Sequence, residues 1–276
     1  MKTLNDIHTY SQHLSSSDRM PVLFLGHGSP MNAIEENEFV KGFREIAKTL
    51  PQPKAILCVS AHWYTRGSKV TAMQNPPTIH DFGGFPRELF EVQYPAPGDP
   101  ELAGQTKDLL HPTLVELDEK WGLDHGAWSV IKHLYPDANV PVIQVSIDYT
   151  KPMAWHYRLA SQLVTLREKG ILIIGSGNIV HNLRMVDFAN FNRDNYGYDW
   201  AIEARALING WIMSGDYQSL LQDQPENKAL QLAIPTPEHY LPLIYSLGLQ
   251  QKGEGVSIFN DKLLAGSLSM TSLKID

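Results

Sequence analysis

The 276-residue sequence contains a single cysteine, Cys58, so an intrachain disulfide is excluded. A cluster of cysteine thiolates is excluded too, and a tight metal site built by this chain must use His, Asp or Glu. The sequence also lacks an uninterrupted apolar run of about 18 residues, the length typical of a membrane helix. Its polar start lacks the apolar core of a secretory signal peptide. We therefore expect a soluble, cytoplasmic protein without a membrane partner.

Several binding and catalytic signatures are absent as well. No dense run of Lys and Arg occurs, and the formal net charge is -7, so nucleic acid is not an expected partner. Neither the G-x-S-x-G elbow of serine hydrolases nor the H-E-x-x-H helix of zincin proteases is present. No heptad pattern or apolar surface stripe indicates self-association, and we expect a monomer.

Short apolar runs alternate with segments of helical periodicity, which predicts an α/β fold. With 43% hydrophobic residues, the chain can fill one core, so we predict a single domain over residues 20–276 behind a flexible N-terminal extension of residues 1–19. A mostly parallel or mixed central sheet should be flanked by helices. The predicted strands are residues 22–25, 55–59, 140–147, 171–174, 255–260 and 267–273, the last two forming a hairpin near an edge. The predicted helices are residues 38–50, 102–110, 154–168, 201–213 and 240–247.

Four histidines lie in loops that adjoin these elements. His27 and His62 follow the first two predicted strands and have small neighbours, His181 follows the strand at 171–174, and His239 lies in a Pro-rich stretch. Ligand sites of open α/β sheets form at the carboxyl edge of the strands, so we expect one metal site there. Neutral imidazole suits Zn²⁺, Fe²⁺, Cu²⁺ or Ni²⁺ better than Mg²⁺ or Ca²⁺.

The stretch before His239 predicts a helix start, with Thr236 as N-cap and Pro237 in the first turn. His239 could therefore be a directed ligand or a residue that only occupies that turn. Glu238 could supply a carboxylate ligand or favour the positive end of the helix.

Two further histidines have adjacent aspartates. His125 follows Asp124, which predicts a helix capped by Asp124; His125 itself could be structural, or an acid–base or substrate-binding group. His80 precedes Asp81 in a loop rich in proline and glycine, and it could line the mouth of a pocket.

Six stretches carry the likeness to a known enzyme family. They are residues 25–31, 60–63, 77–86, 123–128, 176–184 and 235–242. Through them the chain, from Met20 to its C-terminus, resembles the DODA-type extradiol aromatic ring-opening dioxygenases of the LigB-like class III superfamily.

This resemblance implies a divalent ion held by His27, His62 and His239, with His181 as a further ligand or as the acid–base group. It also implies that His125 contacts bound oxygen or the substrate hydroxyl. The wider superfamily commonly has a carboxylate as third ligand, where this sequence offers His239. We expect Fe²⁺ in the active enzyme and Zn²⁺ as the occupant after isolation.

The resemblance further implies that a catechol such as L-DOPA is cleaved by O₂ at its 4,5-bond, giving a muconate semialdehyde. His181 is the first choice for moving protons and His125 the second. From charge and position, Arg184 and His80 are predicted to bind the substrate.

Two other functions fit the same residues. A zinc hydrolase would use the histidines to hold an activated water. A non-enzymatic binding protein is the second alternative, because relatives of the Memo type share the fold and act in interaction. The presence of His125 and His181 beside the three ligand candidates argues for catalysis.

Overall fold

A computed structural model describes residues 19–191 and 193–276. Most of the predicted N-terminal extension, residues 1–18, lies outside the described residues. The strands are β1 (Val22–Gly26), β2 (Ala55–Ser60), β3 (Tyr64–Thr65), β4 (Ser68–Thr71), β5 (Val115–Asp118), β6 (Val142–Gln144), β7 (Ile147–Asp148), β8 (Ile171–Gly177), β9 (Val256–Phe259), β10 (Leu263–Leu264), β11 (Leu268–Ser269) and β12 (Ser272–Ile275).

Helices connect and cover these strands. They are α1 (Glu38–Ala47), α2 (Arg87–Phe90), α3 (Pro100–Leu109), α4 (His125–Leu134), α5 (Met153–Ser161), α6 (Val164–Glu168), α7 (Asp199–Ser214), α8 (Tyr217–Leu220), α9 (Lys228–Ala233) and α10 (Leu241–Gly248). Short 3₁₀ turns occur at Pro30–Ala33, Leu183–Met185 and Phe188–Asn190. In the described part of the chain, no helix has the length and apolar character needed to cross a membrane.

The central sheet has six strands in the order β6-β2-β8-β1-β12-β9. The first four run parallel, β12 joins β1 in the antiparallel sense, and β9 completes the edge beside β12. The prediction of a mixed α/β sheet flanked by helices is therefore confirmed. Three further two-stranded pairs, β3-β7, β4-β5 and β10-β11, lie outside this sheet.

Both faces of the sheet are covered, which explains why β1, β2 and β8 are apolar at nearly every position. Alternate residues of a strand point to opposite faces. In β1, Phe24 packs into a core with α5, α6, α7 and α10, whereas Leu23 and Leu25 pack into a second core with α1 and α4. The parallel strands are thus held between two apolar layers.

The register of the parallel strands places their carboxyl ends side by side. Gly26 of β1 pairs with Gly177 of β8, and Ser60 of β2 pairs with Ser176. The backbone N–H of His27, the next residue after β1, donates to the carbonyl of Gly177 at 3.1 Å. The loops that follow β1, β2 and β8 therefore meet at one edge.

Several predicted boundaries differ from the structure. The helix predicted at 154–168 is divided into α5 and α6, and the strand predicted at 140–147 into β6 and β7. The terminal strands do pair at the sheet edge, as β9 with β12, but residues 267–273 are shared between β11 and β12. The helix expected to start at Thr236 begins instead at Leu241, because residues 235–240 form a turn.

A buried ion pair ties α6 to the start of β1. The Arg167 side chain is fully buried and donates to both carboxylate oxygens of Glu254, at 2.7 and 2.9 Å, and to the carbonyl of Met20. Burial alone would raise the pKa of Glu254, but hydrogen bonds from Arg167 and Gln251 lower it below its ordinary 4.5.

We expect Glu254→Gln to lower the free energy of unfolding by about 2–3 kcal/mol at pH 7, because it leaves the buried Arg167 charge without its partner. Since the folded-state pKa of Glu254 is lowered, its contribution is present above about pH 4.5 and is lost as the pH falls further. Urea unfolding at pH 7 and below pH 4 measures both effects.

The matched control is Glu91→Gln, which removes an exposed pair with Arg87 on one helical turn. Its expected cost is below about 0.5 kcal/mol. Equal losses for the two variants at pH 7 would show that the Arg167 pair adds no more stability than a surface pair.

Candidate metal centre and active-site cavity

A cavity of about 560 Å³ opens at the carboxyl edge of the parallel strands. Its lining combines five histidines with a largely apolar wall. The histidines are His27, His62, His125, His181 and His239, and the apolar wall includes Pro30, Met31, Phe82, Phe85, Leu183, Val186, Phe188, Phe191 and Leu268.

His27 is held in one orientation by the neighbouring strand. Its Nδ1 lies 3.0 Å from the hydroxyl of Ser176, and that hydroxyl donates to the carbonyl of Gly126. Because the Ser176 hydroxyl donates its proton to Gly126, its oxygen must accept a hydrogen bond from the N–H at Nδ1 of His27. The Nε2 atom of His27 is then unprotonated and has a free lone pair, as a metal ligand requires.

His62 approaches His27 from the loop after β2. The two Nε2 atoms are 3.3 Å apart, and the ring of His125 stands 3.8 Å from that of His62, centroid to centroid. These three histidines each offer one nitrogen within 4.8 Å of the others.

His239 and His181 approach from the opposite side, and the five histidines together form the floor of the cavity. Their rings stack with centroids 3.5 Å apart, and the His239 ring is 5.3 Å from that of His27. Nδ1 of His239 contacts Glu238 at 3.4 Å, which leaves its Nε2 as the ligand atom. Thr236 donates its hydroxyl to Glu238 instead of capping a helix.

The histidines of the floor are strongly desolvated. Burial, followed by the nearby His62 and His239, lowers the pKa of His27 well below 6.5. Burial and His125 do the same for His62, and burial with His239 lowers the pKa of His181 to about 3. These rings are therefore uncharged at neutral pH, which is the form that binds metal.

The carboxylate of Glu238 is ionised beside them. Burial alone would raise its pKa, but hydrogen bonds from His239 and Thr236 lower it to about 2. Its negative charge offsets part of the charge that a cation would bring to the floor.

The donor set fits a divalent transition metal. With metal–nitrogen bonds of about 2.1 Å, two ligands of a tetrahedral site stand about 3.4 Å apart, close to the 3.3 Å between the His27 and His62 nitrogens. Two groups of possible ligands face each other, one formed by His27, His62 and His125 and one by His181, Glu238 and His239.

Asp81 links two of these histidines. Its Oδ1 accepts the backbone N–H of His125 at 2.8 Å and lies 3.0 Å from Nδ1 of that ring, while its Oδ2 lies 3.5 Å from Nδ1 of His62. Burial alone would raise the pKa of Asp81, but the contacts with His125 lower it. The ionised carboxylate favours a proton on Nδ1 of both rings, which leaves both Nε2 atoms as acceptors.

Close packing beneath the histidines requires a glycine at position 126. A Cβ added there would lie 2.5 Å from the Ser60 hydroxyl and 2.7 Å from the ring of His62. The first turn of α4, capped by Asp124 as predicted, can therefore approach His62 only with glycine in this place.

The other predicted substrate contacts lie elsewhere. Nε2 of His80 contacts the carbonyl of Val92 at 2.9 Å, and its ring packs edge-on against Phe82, behind the cavity wall. Arg184 is exposed in the 3₁₀ turn Leu183–Met185 and is not part of the lining.

Sequence reasoning missed three polar residues of this region. From the sequence, Asp81 is only a neighbour of His80, and Ser176 is only the first residue of a stretch that carries the family likeness. Glu35, which lines the cavity mouth, received no role. Ser176 had a readable signal, because it is the last polar residue of a strand that ends beside His27; Glu35 had none.

The family described as "Catalytic LigB subunit of aromatic ring-opening dioxygenase" matches residues 21–240. The chain belongs to the LigB family. This match covers the whole parallel sheet and all five cavity histidines, which confirms the resemblance drawn from the sequence motifs. The protein is accordingly an enzyme of the aromatic ring-opening dioxygenase type.

Individual relatives of this LigB protein agree. It is 47% identical to "4,5-DOPA dioxygenase extradiol" of Escherichia coli K12, across 95% of this chain and 97% of the relative. It is 34% identical to the Beta vulgaris protein of the same name, across 91% and 94%. A crystal structure of an uncharacterized Escherichia coli K12 protein superposes with a TM-score of 0.76 and 42% identity, across 94% of this chain and 100% of that one.

In this LigB protein we expect Asp81→Asn to weaken Zn²⁺ binding by about 10- to 100-fold, because the amide no longer favours the Nδ1 protons of His62 and His125. Chelator competition with the metal-free protein measures the dissociation constant directly.

Asp99→Asn is the matched control, since Asp99 caps α3 as an acceptor, far from the histidines, and Asn retains that capacity. Zn²⁺ affinity should be unchanged in this control. An unchanged affinity in Asp81→Asn as well would contradict the orienting role of the carboxylate.

Proposed function

We propose that this chain is an Fe²⁺-dependent extradiol dioxygenase that opens the ring of L-DOPA, or of a similarly substituted catechol, with O₂ at the 4,5-bond. The product would be a muconate semialdehyde. The observation that carries the proposal is the group of five histidines beneath an apolar wall, in a chain similar to two proteins named 4,5-DOPA dioxygenase extradiol.

The proposed ligands are His27, His62 and His239, with His181 as a fourth ligand or as the acid–base group. Three imidazoles suit both Fe²⁺ and Zn²⁺, so we propose Fe²⁺ for activity and Zn²⁺ as the occupant after isolation. When bound, the ion would acidify the catechol hydroxyls and bring the ring and O₂ together.

The wall fits the flat apolar face of a catechol better than a polar hydrolytic substrate. Phe82 stands edge-on to the ring of His125 at 5.5 Å, and Phe85 packs against Phe82 at the same distance. Aromatic walls of this kind hold a planar ring by edge and face contacts and exclude water. This observation favours the dioxygenase over the zinc hydrolase.

Proton transfer falls to the two histidines outside the proposed trio of ligands. His181, uncharged at neutral pH, can accept a proton from a catechol hydroxyl and return it to the opened product. His125 has its Nδ1 beside Asp81, which can stabilise the ring if it takes up a proton on Nε2. We propose His181 for the first role and His125 for the contact with O₂ or the substrate hydroxyl.

The substrate contacts predicted for His80 and Arg184 stay predictions. His80 packs against Phe82, and Arg184 is the chain neighbour of Leu183, which lines the cavity. We also propose that the enzyme acts as a monomer in the cytoplasm, on a small catechol and O₂.

Metal-free protein reconstituted anaerobically with Fe²⁺ should consume O₂ and form a yellow ring-opened product once L-DOPA and air are added. The Zn²⁺-loaded protein should do neither, because Zn²⁺ has no redox activity. An oxygen electrode and absorbance spectra follow the two signals. If neither metal supports O₂ uptake with several catechols, the zinc hydrolase or the non-enzymatic binding protein becomes the better hypothesis.

His181→Ala should lower kcat by about 10²- to 10⁴-fold, the usual contribution of a general acid–base group. Metal content measured on the same sample separates the two roles: retained metal indicates an acid–base group, and lost metal a ligand. His111→Ala, at an exposed position away from the cavity, is the control. Unchanged cleavage by His181→Ala would remove His181 from the mechanism.

A further inference from the structure

The charged residues of the cavity are unevenly distributed. Its only acidic lining residues are Glu35 and Asp81, and no Lys or Arg belongs to the lining in the described part of the chain. Asp81 is engaged with His62 and His125 at the floor. Glu35 is exposed at the mouth and forms no ion pair among the described residues.

A second, polar groove continues from this mouth. Its volume is about 390 Å³, and it shares Ser29, Glu35 and Phe191 with the catechol cavity. The groove therefore begins where the apolar wall ends. Its other charged residues are Glu38, Arg193, Asp194 and Lys262.

Most of these charges already compensate each other. The Lys262 ammonium lies 2.7 Å from a carboxylate oxygen of Glu38 and 2.7 Å from one of Asp194. The guanidinium of Arg193 instead stacks over the ring of Tyr196, 4.8 Å from its centroid, without a carboxylate partner in the described residues. Glu35 and Arg193 are thus the two charges of the groove that are available to a ligand.

We propose that Glu35 and Arg193 form a headgroup site for a catecholic amino acid, with Glu35 binding the α-ammonium group and Arg193 the α-carboxylate. This inference rests on the proposed function, because the catechol ring must occupy the histidine cavity. It assigns specificity to two residues that no sequence motif indicates.

The division between cavity and groove explains why the headgroup lies outside. A charged ammonium or carboxylate buried against the apolar wall would lose its hydration without a partner. At the exposed mouth the charged group keeps part of its hydration and lies beside a residue of opposite charge. The planar guanidinium of Arg193 suits a carboxylate. A catechol that carries a carboxylate but no amine would meet Glu35 with like charge.

The test uses Zn²⁺-loaded protein under anaerobic conditions, so that binding is measured without turnover. Calorimetry gives dissociation constants for L-DOPA, dopamine, 3,4-dihydroxyphenylpropionate and uncharged 4-methylcatechol. In the wild type we expect the amines to bind more tightly than 4-methylcatechol, and 3,4-dihydroxyphenylpropionate to bind less tightly than L-DOPA.

Glu35→Gln should weaken dopamine relative to 4-methylcatechol by about fivefold, the effect of one partly exposed charge pair. Arg193→Gln should weaken L-DOPA relative to dopamine by a similar factor. Both ratios should approach one at high salt, since exposed charges are screened. Glu36→Gln is the matched control: Glu36 is the next residue along the chain, but it pairs with Arg44 and lies outside the catechol cavity.

Equal changes for all four ligands, or ratios that match the Glu36→Gln control, would overturn the headgroup site while leaving the proposed function intact. A wild-type protein that binds no catechol would overturn both. Oxygen uptake by the Fe²⁺-loaded variants gives the parallel kinetic readout, in which kcat/KM should follow the binding ratios.

Discussion

The parallel pairing of β2, β8 and β1 is the constraint on which the rest of the molecule depends. Because of its register, the three strands end side by side at one edge of the sheet. The residues that follow them therefore lie close together, and these include His27 and His62. Hydrogen bonding across the strand ends then fixes single side chains: Ser176 of β8 orients His27 of the neighbouring loop. Apolar layers pack on both faces of the sheet, and close packing favours the fixed geometry that a ligand set requires.

Desolvation shapes the chemistry of the same edge. Crowded imidazoles would repel one another if charged, and burial lowers the pKa of His27, His62 and His239, and that of His181 to about 3. The two carboxylates that contact the histidine rings, Asp81 and Glu238, touch Nδ1 atoms and leave the Nε2 atoms for the cavity. A cation bound by the Nε2 atoms would therefore have these two negative charges on the opposite side of the histidine rings.

The sequence predicted the class of fold and the histidines of the floor because both depend on local patterns. An apolar run followed by glycine and histidine is readable in β1, and Asp124 was identified as the cap of α4 from its position alone. The contacts of Asp81 could not be read, because they join a loop to residues about 20 and 44 positions away through a fold that must be known first. His239 was expected in the first turn of a helix capped by Thr236. It lies instead in a turn directly before α10, in which the Pro237 carbonyl accepts from both Tyr240 and Leu241. His80 and Arg184 were predicted to bind substrate from their charge and position, but packing in the folded chain decides which residues line the cavity.

The floor and the walls of the cavity come from different parts of the architecture. The histidines stand near strand ends and on the capped start of α4. The wall is supplied by the loop around Phe82 and by residues 183–191, which contain two 3₁₀ turns. Leu183 and Phe188 are largely exposed to solvent, so exchanging them costs the core little. Over evolutionary time, such a segment can diversify while the sheet and its histidines stay fixed. A single reactive centre can in this way serve descendants that accept rings of different size and decoration.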